Sequence, residues 1–409
     1  MRYAVAGLLA IAVVAAVAVA LRPSATLGPA GANPSATATF STPTASSASS
    51  PSPEPAGVSI KVTKTSVPAE YHYAVLGSEP DYRLVVLDLD AARVLEVATI
   101  RVVRSPNVPG GPSSGLATSA DGRTVLLWVV LPDASDSMFL IRPEQGDARL
   151  VDHGEFRGGS VSADGSRFAV ARNDETASLT GLWVGPTSDG TLRRLVADDP
   201  HFNGSPPRPY AFSNDSSLIA FGVGVGDSGA QGFVMSVDAA ESRVERDASG
   251  ELRVAGAEAT GPAAGAEFIS TGEVFLWSTR NAFGGETVVY IYDLTAKRVA
   301  RLYRPSGDAV ILTAAWRPAA QEYATIERPL CCGVFVPGTA GWLRARDGSA
   351  RTLGDAVYAG ELWWSRSGAR LFARLGGDDS VSTVTDLLAG KTVMQFCLRG
   401  GGPPPAPCT

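Results

Sequence analysis

Ser119-Ala120-Asp121-Gly122-Arg123 and Ser162-Ala163-Asp164-Gly165-Ser166-Arg167 are the two clearest copies of one short phrase, a polar turn after an apolar stretch and before a β-rich one. The phrase returns in looser form at Ser213-Asn214-Asp215-Ser216, Ser270-Thr271-Gly272, Arg317-Pro318-Ala319-Ala320 and Ser365-Arg366-Ser367-Gly368. Successive copies begin 43, 51, 57, 47 and 48 residues apart. A repeat of roughly 40–50 residues that carries strands and no helices predicts the blades of a β-propeller.

Each repeat has one plan. Around the first phrase, 115–118 leads into the turn, 124–131 and 138–141 are apolar β-runs, and 149–154 closes the unit. The order recurs in 167–172, 182–185 and 192–196, then in 218–223 and 233–237, then in 274–277, 288–292 and 299–302. Val, Leu, Phe and Trp dominate these runs, and Asp, Gly, Pro and Ser bound them. Asp and Gly predict a two-residue reversal, through side-chain bonding and tolerance of positive φ. Upstream, 71–77, 83–88 and 94–100 are three further strands, with 58–63 available as a fourth. A lone four-stranded sheet cannot bury both faces, so radial stacking is how such units close a core. The expectation is an all-β, seven-bladed propeller. Six or eight blades stay open, because the first and fifth units are degenerate.

The copies at 119 and 162 resemble the Ser-Pro-Asp-Gly phrase of TolB-type propellers, related to the WD-like repeats that cap some prolyl peptidases. Ala stands in place of Pro in both. The resemblance spans about residues 70–400 and implies fold, not activity. The TolB type carries a folded domain at its N-terminus, where this chain has a low-complexity segment, so that family's envelope role is not implied.

One Arg precedes an uncharged Ala/Val-rich run, 4–21, with Ala18-Val19-Ala20 as a small-residue cleavage site. Residues 1–22 therefore read as a secretory signal peptide or a retained N-terminal membrane anchor, since ~20 apolar residues also span a bilayer. Residues 23–57 are almost wholly Ser, Thr, Pro, Ala and Gly and read as a disordered linker. The propeller then occupies 58–400, with a Gly/Pro-rich tail at 401–409. Both readings of the leader make the body extracytoplasmic. The chain carries net charge −6; Arg2 and Arg22 against Glu54 contribute +1, which leaves −7 on the body. Such a balance argues against nucleic acid or an anionic lipid surface as the main partner.

Strand parity separates two faces. In a four-stranded antiparallel blade, the first and third connections share one face (the turn face). The second connections and the crossings to the next blade share the other (the loop face). Segments 133–137, 173–180, 224–231, 281–286, 328–337 and 376–380 and the crossing 198–210 fall on the loop face, where function usually sits on a rigid scaffold. The candidate ligand-binding residues are Asp174, Glu175, His201, Asn203, Arg208, Asp227 and Arg328. The alternative is that these loops only close blades.

Other motifs carry less. Gly224-Val225-Gly226-Asp227-Ser228-Gly229 fits a dinucleotide fingerprint, but a strand and not a helix is predicted behind it. Gly111-Pro112-Ser113-Ser114-Gly115 fits a nucleophile elbow, again with no helix following. A catalytic triad would draw on His72, His153 or His201; His72 lies inside a strand and reads as packed core. No His pair has metal-ligand spacing, and Asp133, Asp136, Asp198, Asp199, Asp378 and Asp379 read as solvated loop charges, with a structural Ca²⁺ a minor alternative. No metal, cofactor or catalytic residue is assigned. Trp316, Trp342, Trp363 and Trp364 read as inter-blade packing, the adjacent pair facing opposite ways.

Cys331, Cys332, Cys397 and Cys408 form an even set in a chain read as exported, which favours disulfides with three possible connectivities. One bridge tying the tail or last blade to the loop at 331–332 is favoured over a vicinal bond. The reading is a monomeric binding module of the cell envelope for a protein or glycan. The competing classes are a propeller hydrolase or lyase acting on sugars or peptides at the loop face, and a structural spacer.

Overall fold

The computed structural model describes residues 57–397 except 79, 104–112, 131–135, 174–178, 199–205, 225–228, 248–250, 280–286, 308, 318–319, 332–333, 336–339, 356–358 and 377–380. The expected leader, linker and tail lie outside the described residues, and β1 opens at Gly57.

Among the described residues, thirty-one strands form seven sheets arranged as the blades of a propeller. Blade 1 comprises β1 (Gly57–Val62), β2 (Tyr71–Ser78), β3 (Asp81–Asp88) and β4 (Arg93–Val103). Blade 2 comprises β5 (Ser113–Thr118), β6 (Val125–Val130), β7 (Ser137–Arg142) and β8 (Asp147–His153). Blade 3 comprises β9 (Phe156–Val161), β10 (Arg167–Arg172), β11 (Gly181–Pro186) and β12 (Arg193–Ala197). Blade 4 comprises β13 (Arg208–Phe212), β14 (Leu218–Gly224), β15 (Ala230–Ser236) and β18 (Ala257–Pro262), interrupted by the hairpin β16 (Ser242–Arg246) and β17 (Leu252–Val254). Blade 5 comprises β19 (Gly265–Phe268), β20 (Glu273–Ser278), β21 (Val288–Asp293) and β22 (Arg298–Tyr303). Blade 6 comprises β23 (Ala309–Trp316), β24 (Glu322–Cys331), β26 (Ala340–Ala345) and β27 (Ala350–Asp355), with β25 (Val334–Phe335) pairing the end of β24. Blade 7 comprises β28 (Ala359–Trp364), β29 (Leu371–Gly376), β30 (Val381–Asp386) and β31 (Lys391–Cys397).

The core is distributed, not central. Seven buried apolar clusters each join two neighbouring blades, so the ring closes on itself. Trp364 packs into the blade 6–7 cluster and Trp363 against the blade 7–1 cluster, the opposite-facing pair that strand alternation requires.

The repeated phrase turns out to be a six-residue reversal and not a two-residue one. Ser119 N–H donates to Thr124 O at 2.9 Å, and Thr124 N–H donates back to Ser119 Oγ at 3.0 Å. Ser119 Oγ donates to Asp121 Oδ1 at 2.6 Å, and Gly122 takes φ +71°. The copies at Ser162 and Ser213 repeat the pattern. The buried serine is needed because the strand ends carry backbone groups that water does not reach. Ser216 adopts φ +60° where the copies at 119, 162 and 365 use glycine, and its hydroxyl donates to Asp164 Oδ1 across the blade 3–4 boundary at 2.9 Å. Burial alone would raise the Asp164 pKa, but the hydrogen bonds of Ser162, Ser166 and Ser216 hold it well below the usual carboxylate range.

Two features depart from the simple repeat. The first is blade 1, which runs backwards. Tyr71, the first residue of β2, donates its hydroxyl to Ser119 O at 2.9 Å, and Tyr73 donates to Gly122 O at 2.8 Å. β2 therefore starts at the turn that β5 ends in, and these two inner strands run in opposite directions. β1 supplies the outermost strand, antiparallel to β4. Residues 63–70 cross the turn face between them, where Thr65 N–H reaches Pro143 O. Among the described residues no strand is shared between blades 7 and 1, and side chains link them, among them Arg370 with Asp90 at 2.9 Å.

The second is the hairpin β16–β17. It leaves blade 4 and adds to the outer edge of blade 3, with β16 parallel to β12 through two residue pairs, Val196↔Ser242 and Ala197↔Arg243. The 57-residue interval between phrases is the longest of the five, and that surplus is the sequence trace of this insertion.

Candidate functional site

On the turn face the polar side chains of the repeated phrases are consumed by their own hydrogen bonds. Arg208 opens β13, is exposed, and has no ion-pair partner among the described residues. Its charge faces Tyr210, whose hydroxyl donates to Ala263 O at 3.0 Å and whose pKa burial pushes up to about 12. Arg328 is half-buried near the loop-face end of β24. Asp174, Glu175, His201, Asn203 and Asp227 lie outside the described residues.

Neighbouring blades bring further polar groups to this face, and sequence reading had not singled them out. Arg157, second in β9, pairs with Glu155, which also accepts from Asn173 Nδ2 at 3.3 Å. Arg172 at the end of β10 bonds Asp152 Oδ2 at 2.5 Å, and its guanidinium lies 5.9 Å from the Trp183 ring centre. These residues are scattered over 152–183. Only the alternation of strand direction collects them at one end of blades 2 and 3.

Two carboxylates sit on inner strands at blade boundaries. Glu361 on β28 lies 2.8 Å from His72 Nε2 on β2 and 2.9 Å from Arg374 Nη2. The His72 ring nitrogen is not aimed at the oxygen, so the two groups lie close without a well-formed hydrogen bond. His72 also stacks on Trp363 at 4.2 Å, which makes it a seam residue instead of a simple core one. Crowding by protein alone would raise the Glu361 pKa, but His72 and Arg374 hold it below the usual range. Its side chain is still 42% exposed, as a group on an axial wall can be while protein surrounds it.

Glu267 on β19 accepts a hydrogen bond from Trp316 N–H of β23 at 3.0 Å. Enclosure by protein pushes its carboxyl up to about 7. A carboxyl whose folded pKa is raised is destabilising once ionised, so its cost is absent below about pH 4.5 and grows until about pH 7. Glu267→Gln should therefore flatten the decline in melting temperature across that window. An unchanged slope between wild type and variant would show that the carboxyl titrates normally.

The remaining sequence motifs settle as strands. Ser113 and Gly115 open β5, and the segment after Gly229 is β15, so neither glycine pattern precedes a helix. Among the described residues no three His, Cys, Asp or Glu side chains converge as metal ligands. Cys331 ends β24 and Cys397 ends β31, both at the loop face; Cys332 and Cys408 lie outside the described residues.

No protein-family model matches the chain, and no curated protein does. Solved structures do. A prolyl endopeptidase aligns with 81% of this chain and 49% of its own, at 11% identity and a TM-score of 0.53. TolB from Acinetobacter baumannii aligns over 81% of this chain and 67% of its own, at 12% identity and 0.43. Oligogalacturonate lyase from Vibrio parahaemolyticus aligns over 84% and 86%, at 10% identity and 0.48. At these identities the likeness is one of architecture: the chain is a seven-bladed β-propeller similar in fold to TolB proteins and to other propellers that include enzymes.

Proposed function

We propose that this propeller is an extracytoplasmic binding module that engages a protein or glycan of the cell envelope through its loop face, as a monomer. The observation that carries this reading is the contrast between the faces. The turn-face phrases spend their polar groups internally, whereas Arg208 projects from the mouth of blade 4 without a partnering carboxylate among the described residues. In this reading residues 1–22 are a signal or anchor, 23–57 a tether, 58–400 the binding body and 401–409 a tail. Asp174, Glu175, His201, Asn203, Asp227 and Arg328 complete the loop-face set, and a cysteine bridge pins the last blade or tail to the 331–332 loop. Exposed charge on a rigid rim governs encounter and specificity more than raw affinity.

The test is cross-linked capture from intact envelopes with the full chain as bait, against a variant carrying Arg208→Ala, His201→Ala and Asp227→Ala. A specific envelope protein or glycan retained by the wild type and lost by the variant is the expected result. Equal capture by both would remove the loop face from the binding role.

Glu267 favours a second reading, a hydrolase or lyase acting on sugars or peptides, because a carboxyl near neutrality can exchange protons at working pH. Turnover of a polysaccharide or peptide panel that Glu267→Gln abolishes would establish it.

A further inference from the structure

On the turn face, away from the loop-face site, a cleft of about 670 Å³ opens between blades 2 and 3. That size suits a small organic molecule. Its wall is the β11–β12 connection, with Arg142 contributed by blade 2 and Arg167 and Arg193 by blade 3. Pro186 and Leu192 supply apolar surface over the buried Val184, and none of the described lining residues is a carboxylate. In a body of net charge −7 this is a local reversal of sign.

The arginines are held in a particular way. Arg142 Nη2 donates to Thr187 O at 2.8 Å, and Arg193 donates to the Val237 and Ala239 carbonyls. Behind the wall, Arg149 donates to Thr187 O at 2.9 Å and Ser188 O at 3.0 Å, with its Nε buried and unpartnered. Carbonyl oxygens fix a guanidinium's orientation without cancelling its charge. Arg167 faces Asp238 at 2.8 Å, and the exposed Asp189 of the same connection acts on Arg149, whereas neither Arg142 nor Arg193 has an ion-pair partner among the described residues. A pre-oriented, uncompensated fork is suited to a planar or tetrahedral oxyanion, because little rotamer entropy remains to be lost on binding.

We propose that this cleft binds a small organic anion with an apolar body and a carboxylate or phosphate head. The head lies against Arg142 and Arg193, and the body lies on Pro186 and Leu192. The site is independent of the loop-face function.

Calorimetric titration of the full-length protein with phenylacetate, phenyl phosphate and neutral benzyl alcohol tests the site and separates the two head groups. At least one anion should bind saturably and the alcohol should not. Thr191→Trp, which fills the cleft from its exposed rim, should weaken the anion by about tenfold or more while leaving the melting temperature in place. Arg142→Gln should weaken it independently. Failure of both anions to bind, or undiminished binding to the folded Thr191→Trp protein, would overturn the assignment.

Discussion

Replacing Glu327 by Ala should cost about 3–5 kcal/mol of stability, because it strands a buried guanidinium. Glu327 on β24 accepts from Arg344 Nη2 at 2.8 Å, from Tyr303 Oη at 2.9 Å and from Thr325 Oγ1 at 2.8 Å. The side chains of Arg344 and Glu327 are only 11% and 8% exposed. Arg344 lies with its guanidinium carbon 3.5 Å from the Tyr303 ring centre and 5.1 Å from that of Trp342, and its Nε finds no partner. Burial and the neighbouring Glu327 together raise the Tyr303 pKa, so the phenol stays protonated and donating. Removing the carboxylate leaves the cation desolvated between two rings. The pair itself need not be net stabilising, since its desolvation offsets its attraction. The double replacement Glu327→Leu with Arg344→Met should therefore recover most of the loss. Urea unfolding of the single and double variants checks this; a single variant within about 1 kcal/mol of wild type would show that Arg344 reaches solvent.

Asp198→Ala should release the β16–β17 hairpin from blade 3. Asp198 is 3% exposed and receives both terminal nitrogens of Arg246, at 2.7 and 3.2 Å. The backbone contributes only two parallel residue pairs to this junction, so side chains must hold it. Arg194 with Glu241 at 2.6 Å adds a more exposed pair, and Val244, Leu252 and Val254 add buried apolar area. Losing the carboxylate again leaves a buried cation, a cost of about 3–5 kcal/mol, but here the hairpin can swing out and hydrate Arg246. The damage should be local. Amide exchange in 242–254 should accelerate by about a hundredfold or more while the inner strands of blades 3 and 4 keep their protection. Unchanged exchange in 242–254 would show that apolar burial alone seats the hairpin.

The seven-blade ring was legible because its determinants are local and repeated. A serine, an aspartate and a glycine at fixed spacing close the turns at 119 and 162 whatever lies elsewhere, and the strands of blade 3 fall close to where their apolar runs placed them. The turn's true length was not legible, because the buried serine's bond to a backbone N–H five residues on forms only when both strand ends are in place. The candidate site was legible only in part. Strand parity assigns Arg208 to the loop face, but Glu155, Arg157 and Asn173 come together through hydrogen bonds that sequence separation hides.

By itself, then, the sequence determines the blade repeat, the turn chemistry, the opposed faces of Trp363 and Trp364 and the sign of the body's charge. Each of these follows from neighbours within a few residues or from simple addition. Only the tertiary structure decided that blade 1 runs in reverse, that a hairpin of blade 4 extends blade 3, and that Glu267 and Glu361 have unequal protonation behaviour. Those outcomes depend on which distant groups share an environment: Tyr71 beside Ser119, Asp198 around Arg246, and Glu361 between His72 and Arg374 while Glu267 has a single backbone donor. Desolvation and charge pairing act through space, and along the chain they leave no periodic mark.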